Sequence, residues 1–323
     1  MLFVGTKSGI YRFAQDDGAW EARGKALDDA LISGITQDAG GPARMLASAR
    51  HKGVFRSEDG GGSWAAVLED VDAWSIATAP DGTLFAGVEP AGVYRSRTGG
   101  MDWEELGAIK LLPTYGSWSF PPPPHVAHVR TFVFAPDDPR TIYAGVEVGG
   151  VIGTHDGGET WQELNQGLYP DIHNMAIASE GGDVVYVATG RGFFKSEDAG
   201  VSWDLAVEGL HSIYMRPVVV HPQNPRMLFT SAATGSPPGW NRPEGAATVL
   251  YRSADSGATW EPIMEGLPST LYGSVDAIAV DPQESNTVFA GTSEGQVLVS
   301  RDLGDSWDTL ADGLPVVEVL LAA

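Results

Sequence analysis

The chain has 323 residues, and 20 Lys and Arg residues against 42 Asp and Glu residues give it a net charge of −22. This excess of acidic groups excludes a nucleic-acid surface, which needs clustered cations, and disfavours an anionic membrane. The chain has no cysteine, which excludes disulfides, thiol catalysis and zinc bound by cysteine. Its 41 Gly and 21 Pro residues, in a sequence that is 43% hydrophobic, predict many short strands joined by tight turns.

The N-terminal segment is predicted to form strands. Met1–Thr6 and Ile10–Phe13 have the pattern of the second and third strands of a sheet whose first strand lies elsewhere in the chain. No basic run followed by an apolar stretch indicates a signal peptide, and no apolar run reaches the roughly 20 residues that cross a bilayer. We therefore expect a cytoplasmic protein, a monomer, with neither a membrane nor a nucleic acid as its partner.

An eight-residue pattern, Ser/Thr-x-Asp-x-Gly-x-x-Trp, recurs along the chain. Its copies, of which the first is eroded and the third has Thr98 in place of Asp, end at Trp20, Trp64, Trp103, Trp161, Trp203, Trp260 and Trp307. In each copy we expect Ser or Thr and Asp to bond the amides of a turn, Gly to adopt a left-handed backbone, and Trp to pack as an apolar wedge. The mean spacing of roughly 48 residues is that of one propeller blade, with the turn joining the two outer strands.

This pattern resembles the Asp-box, or BNR repeat, of sialidases, xyloglucanases, sortilin-type receptors and photosystem II assembly propellers. The resemblance spans nearly the whole chain and implies a β-propeller in which the Asp is structural rather than catalytic. It leaves the function open, because this superfamily contains both enzymes and binding proteins. A typical sialidase is not expected, since that family has six blades and an early Phe/Tyr-Arg-Ile-Pro motif that the sequence lacks. Xyloglucanases use two propellers where this chain supplies one, and the photosystem factors carry a basic patch that the acidic composition does not favour.

We call the turn formed by each copy of the eight-residue pattern a Trp turn. The same order of strands recurs between the Trp turns. Innermost strands are predicted at Ser75–Ala79, Thr131–Ala135, Asn174–Ala178, Pro217–His221 and Ala277–Asp281. Residues 316–323 form one more innermost strand, which we expect to pair with the N-terminal strand and so remove the open edges of the ring. The fold class is therefore all-β: residues 1–323 are predicted to form a single domain, a seven-bladed propeller with four-stranded blades.

The start of each innermost strand is expected to face the central channel. When the strands are aligned on the turn that follows each of them, one aligned position, which we call the channel register, contains Trp74, Arg130, His173, Arg216, Asp276 and Glu318. Two residues earlier the strands carry Asp72, His128, Asp171, Tyr214 and Ser274. A ring so rich in titratable groups indicates a functional pocket, and a network of ion pairs between the blades is the alternative.

The loops between second and third strands open at the same end of the channel, which we call the mouth. They bring charged residues to it: Lys7, Arg50, Glu89, Glu147, Arg191 and Glu294. Two insertions, residues 109–128 and 232–248, lengthen their blades on this side, and insertions of this kind in a compact repeat are usually functional or disordered. Their aromatic residues argue against disorder, so Trp118 and Trp240, together with Trp74, are predicted to form aromatic walls.

The histidines leave room for a divalent metal, although no motif requires a cofactor. His125 and His128 are three residues apart, so in an extended strand they would point to opposite faces. The four prolines before them favour a conformation with three residues per turn, which would bring them to one side. A metal site of His125, His128 and His173 is therefore one hypothesis, and hydrogen bonds from these rings to loop backbone are the alternative.

Glu89 and Glu147 occupy matching positions in adjacent blades, each after a Gly-Val pair. Glycosidic cleavage uses two carboxyl groups, one as acid and one as base. Adjacent blades pack about 10 Å apart, a separation that suits an inverting enzyme better than a retaining one. The alternative is that each carboxylate pairs with a neighbouring arginine, Arg50 or Arg130.

These observations favour a site for a small ligand, a sugar or an anionic organic molecule, in the mouth of the channel. Its ligand-binding residues are predicted to be Trp74, Trp118, His128, Arg130, Tyr214, Arg216, Trp240 and Asp276, and its catalytic residues Glu89, Glu147 and His173. Hydrolase chemistry of the glycosidase type, or lyase chemistry, is favoured. The alternative function is that of a non-catalytic scaffold for protein interaction or assembly, for which the architecture is equally suited.

Overall fold

Short strands bounded by turns pair in chain order into seven antiparallel sheets of four strands each. The computed structural model describes residues 1–16, 18–179 and 182–323. The innermost strand of each sheet contacts the innermost strands of two neighbouring sheets, and the series returns to its start. The sheets are therefore blades around a central channel, and the prediction of a seven-bladed propeller is confirmed.

The blades follow one another along the chain. The first contains β1 (Leu2–Thr6), β2 (Gly9–Asp16) and β3 (Ala19–Ala26), and the second β4 (Ile32–Gln37), β5 (Met45–Ala49), β6 (Gly53–Ser57) and β7 (Ala65–Leu68). The third contains β8 (Asp72–Thr78), β9 (Leu84–Glu89), β10 (Gly92–Ser96) and β11 (Glu104–Glu105), and the fourth β12 (Val129–Phe134), β13 (Ile142–Val146), β14 (Gly150–Thr154) and β15 (Gln162–Glu163). The fifth contains β16 (Ile172–Ser179), β17 (Asp183–Thr189), β18 (Gly192–Ser196) and β19 (Asp204–Leu205), and the sixth β20 (Tyr214–His221), β21 (Asn224–Ala233), β22 (Val249–Ser253) and β23 (Glu261–Pro262). The seventh contains β24 (Val275–Val280), β25 (Val288–Thr292), β26 (Val297–Ser300) and β27 (Asp308–Ala311), and the last strand is β28 (Val317–Ala322).

The last strand closes the ring as the sequence predicts. β28 pairs antiparallel with β1 and becomes the innermost strand of the first blade, in the order β28-β1-β2-β3. In the described ranges, two short 3₁₀ helices connect the third blade to the fourth, at Gly107–Leu111 and Tyr115–Ser117. A third, Pro237–Trp240, lies between β21 and β22 of the sixth blade. No helix in the described ranges is long and apolar enough to cross a membrane.

The Trp turns have the predicted geometry. In the second blade, Asp59 accepts hydrogen bonds from the Ser57 hydroxyl and the Ser63 amide, each at 2.9 Å, while the Gly61 amide donates to Ser57 Oγ at 2.8 Å. Gly61 has a φ of +82°, which is unstrained for glycine alone. In the copy that lacks Asp, Thr98 Oγ1 takes over the carboxylate's role and accepts from the Asp102 amide at 2.9 Å. The pattern therefore fixes a turn between the two outer strands of the blade.

The apolar core lies between neighbouring blades. One cluster, for example, packs Tyr143 of the fourth blade against Phe194 and Trp203 of the fifth. Small residues such as Gly145 on β13 let the next blade approach closely, since an added Cβ would lie 2.7 Å from Ile172 Cγ2. The innermost strands carry polar residues that line the central cavity.

Candidate ligand site at the mouth of the central channel

In every innermost strand of the described residues, a β-bulge leaves one residue, or two consecutive residues in the sixth blade, without a partner in the ladder of hydrogen-bonded pairs. In the third blade, for example, Ala73 pairs with Val88 and Ser75 with Gly87, so Trp74 is the extra residue of a β-bulge. The seven bulges contain Ser33, Trp74, Arg130, His173, Arg216, Asp276 and Glu318. A bulge re-aims a side chain, and all seven side chains line one cavity of about 1440 Å³.

We call these seven residues the bulge ring. Because they occupy equivalent positions in the seven blades, alignment of the sequence could find the positions that face the channel. Six members of the ring form the channel register predicted from the sequence, and the structure adds Ser33 of the second blade. Ser33 was missed because its small side chain does not stand out, although it occupies the same register. Its hydroxyl donates to the carbonyl of Ala73 in the next blade at 3.0 Å.

Ion pairs connect several members of the ring. Arg216 Nε donates to Asp276 Oδ1 of the next blade at 2.7 Å, and Arg130 forms an ion pair with Glu147. Arg130 also donates from Nε to the His173 carbonyl at 2.9 Å. The contacts of Arg216 with Asp276 and of Arg130 with His173 cross junctions between blades, and the Arg130–Glu147 pair lies within the fourth blade. Part of the titratable ring is therefore structural, as the alternative interpretation proposes.

Trp74 lies in a three-layer stack. The guanidinium carbon of Arg50 lies 3.2 Å from the Trp74 ring centroid, and the His128 ring stacks on Trp74 with 3.2 Å between centroids. Two groups at this distance would collide on one face, so they occupy opposite faces of the indole. Arg50 is held in place by two hydrogen bonds to Asp72, of 2.9 and 3.2 Å. Trp74 lines the cavity, but neither of its faces is available to stack a sugar ring.

His128 separates the two carboxylates that were predicted as a catalytic pair. Its Nδ1 lies 3.5 Å from Glu89 Oε2 and its Nε2 lies 3.7 Å from Glu147 Oε2, and the side chain is fully buried. The imidazole therefore fills space between the carboxylates that an inverting pair would leave for water. Glu147 lines the cavity, whereas Glu89 is not among the residues that line it.

The two carboxylates have pKa values shifted in opposite directions. Burial raises the pKa of Glu89, and the negative charge of Asp72 adds to this effect. Burial also acts to raise the pKa of Glu147, but the Arg130 guanidinium and the neighbouring histidines outweigh it and hold that pKa well below its ordinary value. Glu147 is therefore ionised throughout the neutral range.

His128 is expected to make the stability of the protein depend on pH. Burial lowers its pKa from 6.5 to about 4, with Glu147 opposing the shift. The unfolded chain then binds more protons than the folded one between these values, so stability falls as pH decreases from 6.5 to 4, by on the order of 3 kcal/mol.

Urea unfolding at a series of pH values from neutral to 4 checks this prediction, with the His128→Phe variant as the comparison. Phe keeps an aromatic ring on Trp74 but cannot be protonated, so the variant's curve is expected to be flatter than that of the wild type. Glu89 and Glu318, whose pKa values burial raises, act in the opposite direction in both proteins. Equal slopes in the two proteins would contradict the assignment to His128.

Glu147, Asp171 and His173 form a second cluster on the wall of the cavity. Each offers one ligand atom, and these atoms lie within 4.8 Å of one another. Asp171 directly precedes β16, His173 is the bulge residue of that strand, and Glu147 follows β13 of the neighbouring blade. Sequence alignment placed Asp171 two residues before the channel register but did not select it as a site residue.

The structure does not bring His125 to the other two histidines of the predicted metal site. His125 is exposed, has a φ of +66°, and donates from Nδ1 to the Phe120 carbonyl at 2.9 Å. The loop thus closes on itself from Phe120 to His125, which directs the imidazole to its own backbone. His128 is buried behind Trp74, so of the three histidines His173 alone belongs to the cluster with Glu147 and Asp171.

The aromatic residues of the insertions have mixed positions. Trp118 donates to Thr114 Oγ1 at 2.9 Å and packs in the core between the third and fourth blades, away from the cavity wall. Trp240 packs edge-on against Tyr214, with 5.7 Å between centroids, and so supports a cavity-lining residue from behind. The insertions do reach the mouth, but with Phe120 and the prolines beside it and with Pro237 and Pro238.

The fold is shared with solved structures of two kinds. The chain is similar to a GH74 xyloglucanase from Xanthomonas campestris, with a TM-score of 0.73 and 20% identity over 97% of this chain and 52% of that one. It is also similar to YCF48 bound to a D1 peptide (TM-score 0.60, 17% identity, 92% of this chain and 87% of that one). YCF48 from Cyanidioschyzon merolae matches with a TM-score of 0.61 and 13% identity over 93% of this chain and 87% of that one.

The chain thus spans about half the length of the xyloglucanase and most of the length of YCF48. No protein-family profile and no curated protein sequence matches it. At identities of 20% and below, the similarity shows a common propeller fold, and the fold occurs in a xyloglucanase and in a protein that binds a peptide.

Proposed function

We propose that the chain binds a small ligand with several hydroxyl groups and one anionic group, as in an acidic sugar, at the mouth of the channel. The observation that carries this proposal is the cavity of about 1440 Å³ lined by the bulge ring. Pockets for small molecules typically enclose roughly 300–1,000 Å³, so the cavity has room for such a ligand. Its wall combines aromatic side chains with convergent cations and acceptors, the composition that fixes the orientation of a polar ligand.

The cations at the mouth support an anionic group on the ligand. Arg191 is exposed, lies above the Tyr169 ring at 5.1 Å and forms no ion pair within the described ranges. Arg130 uses Nε and one terminal nitrogen for its protein contacts, which leaves N–H groups of its second terminal nitrogen for a ligand. The net charge of −22 does not oppose this proposal, because the cavity is lined by Lys7 and four arginines against four carboxylates, while the Trp turns carry many of the other carboxylates.

Binding of acidic sugars is expected to depend on Arg191. Isothermal titration of a panel of uronic and sialic acids, with neutral sugars of the same size, should show binding of acidic members. Arg191→Ala should weaken that binding at least about tenfold, since hydrogen bonds to charged groups contribute roughly 1.5–3 kcal/mol. Arg226→Ala is the matched control, because Arg226 is exposed near the start of β21 in the sixth blade and does not line the cavity.

Two results would contradict the proposal. One is that no acidic member of the panel binds. The other is that acidic and neutral members bind equally and that Arg191→Ala behaves like Arg226→Ala. Since both substitutions remove an exposed arginine, a difference between them reports on the mouth rather than on total charge.

A second candidate function is the binding of a protein segment at the same mouth. It is favoured by the similarity to YCF48 bound to a D1 peptide, which like this chain extends over little more than one such propeller. This function would be supported over the first if peptides bind the wild type, if Arg191→Ala weakens that binding, and if no sugar of the panel displaces them.

The mouth also contains groups that can act as base and acid. His173 presents Nε2 to the cavity wall and can accept a proton there when no metal is bound. Glu318 lines the cavity and burial raises its pKa, which makes it the better proton donor. We therefore assign hydrolase or lyase chemistry of the metal-free protein, as a narrower part of the proposal, to His173 as the base with Glu318 as the acid, whereas Glu147, whose pKa Arg130 holds low, is too weak a base for that role. Glu89 has no role in it, because His128 lies between Glu89 and Glu147.

A further inference from the structure

Glu147, Asp171 and His173 meet at one point of the channel wall, with one ligand atom each and at most 4.8 Å between these atoms. We propose that they bind a divalent transition-metal ion, Zn²⁺ by preference. The inference rests on the geometry of these three side chains and not on the organic ligand proposed above.

The hydrogen bonding of His173 prepares it to be a metal ligand. Its Nδ1 lies 2.5 Å from the Met215 carbonyl oxygen, and because a carbonyl can only accept, Nδ1 carries the proton. Nε2 is then left with its lone pair. Histidines that bind metals commonly donate their other ring N–H to a backbone carbonyl or a carboxylate, which fixes the ring's orientation.

The lone pair of His173 faces a second acceptor, a carboxylate oxygen of Asp171. The His173 side chain is 1% exposed, and its Nε2 lies 3.5 Å from Asp171 Oδ1. Neither of these two buried atoms has a hydrogen-bond partner among the residues that the structure describes. Two facing acceptors repel each other, whereas a cation between them would satisfy both. A proton on Nε2 is the alternative way to satisfy them.

The charges and ligand types fit a divalent transition metal. Two carboxylates balance the charge of the ion, and Arg130 stays paired with Glu147 as a neighbouring group that limits the excess negative charge. One imidazole and two carboxylates form a mixed nitrogen and oxygen set, which suits Zn²⁺ better than Mg²⁺ or Ca²⁺. Three protein ligands leave a fourth position open, and Glu147, Asp171 and His173 all line the cavity, so that position faces it.

Metal binding is tested on the tag-free 323-residue chain after a chelator has removed any bound metal. Titration with Zn²⁺ should show one ion bound per chain, with a higher Tm, and Co²⁺ should bind with visible absorption bands that Zn²⁺ removes. Asp171→Asn and His173→Gln should each lower the Zn²⁺ affinity at least about tenfold. Glu318→Gln is the control, because Glu318 is a carboxyl of the same cavity that lies outside the cluster.

The outcomes distinguish a metal ion bound at the cluster from a proton on His173 Nε2. Retention of wild-type Zn²⁺ affinity in both Asp171→Asn and His173→Gln would overturn the proposal, as would the absence of Zn²⁺ and Co²⁺ binding to the wild type. If one of the two variants fails to fold, the Zn²⁺ affinity of the other decides the question. None of these measurements includes a sugar, so their failure leaves the proposed ligand site untouched.

Discussion

Replacement of Trp307 by alanine is expected to lower the free energy of unfolding by about 3–5 kcal/mol. Trp307 is 4% exposed and packs in the core between the sixth and seventh blades. Its indole N–H donates to the carbonyl of Ile263, which follows the last strand of the sixth blade, at 2.9 Å. The substitution therefore leaves a cavity and an unsatisfied carbonyl at a junction between blades. Urea denaturation followed by circular dichroism measures the loss.

Trp64→Ala is the matched control for this prediction. Trp64 ends the same eight-residue pattern in the second blade, but it is only partly buried and its indole N–H donates within its own turn, to Gly61 at 3.1 Å. The smaller burial predicts a smaller loss of stability than for Trp307→Ala. Equal losses in the two variants would show that the junction contact does not matter.

Replacement of Arg130 by methionine is expected to destabilise the metal-free protein at pH 7 by roughly 3–5 kcal/mol, because it leaves the buried Glu147 carboxylate unpaired. Glu147 is 5% exposed, and its lowered pKa reports the stabilisation that Arg130 provides. This stabilisation is present above the ordinary carboxyl pKa of 4.5 and is lost as pH falls below it towards the folded-state pKa. The difference between wild type and variant should therefore shrink at acid pH.

The double variant Arg130→Met/Glu147→Gln separates an unpaired charge from lost packing. Without the carboxylate there is no uncompensated charge, so the double variant should regain much of the stability that Arg130→Met loses. Chemical denaturation of the wild type, Arg130→Met, Glu147→Gln and the double variant completes this double-mutant cycle. If the double variant is as unstable as Arg130→Met, the loss comes from packing of the arginine side chain.

The repeat made the fold predictable because each copy specifies a turn that is stabilised by local hydrogen bonds. Ser57, Asp59 and Gly61 satisfy one turn among themselves, so the pattern marks the outer edge of a blade wherever it recurs. The spacing of the copies then determines the number of blades, and alignment within the repeat locates the bulge residues. Ser33 escaped because a small side chain carries no signal, although its backbone has the same bulge.

The details of the site could not be predicted because they depend on segments outside the repeat. His128 stacks on Trp74 and meets Phe120 edge-on at 4.8 Å, a contact made by the insertion and not by the blade pattern. The same contact separates Glu89 from Glu147, which alignment had placed as a matching pair. Trp118 likewise packs inward because its N–H is satisfied by Thr114 four residues earlier, a local contact that periodicity does not report.

We propose that this chain binds its ligand at the mouth of the channel. A crystal structure of the protein grown with the acidic sugar that binds most tightly tests it most directly. Density for the sugar beside Arg191 and Arg130, within the cavity lined by the bulge ring, is the predicted result. Density on the outer rim of the propeller, with the cavity filled by solvent alone, would contradict the account.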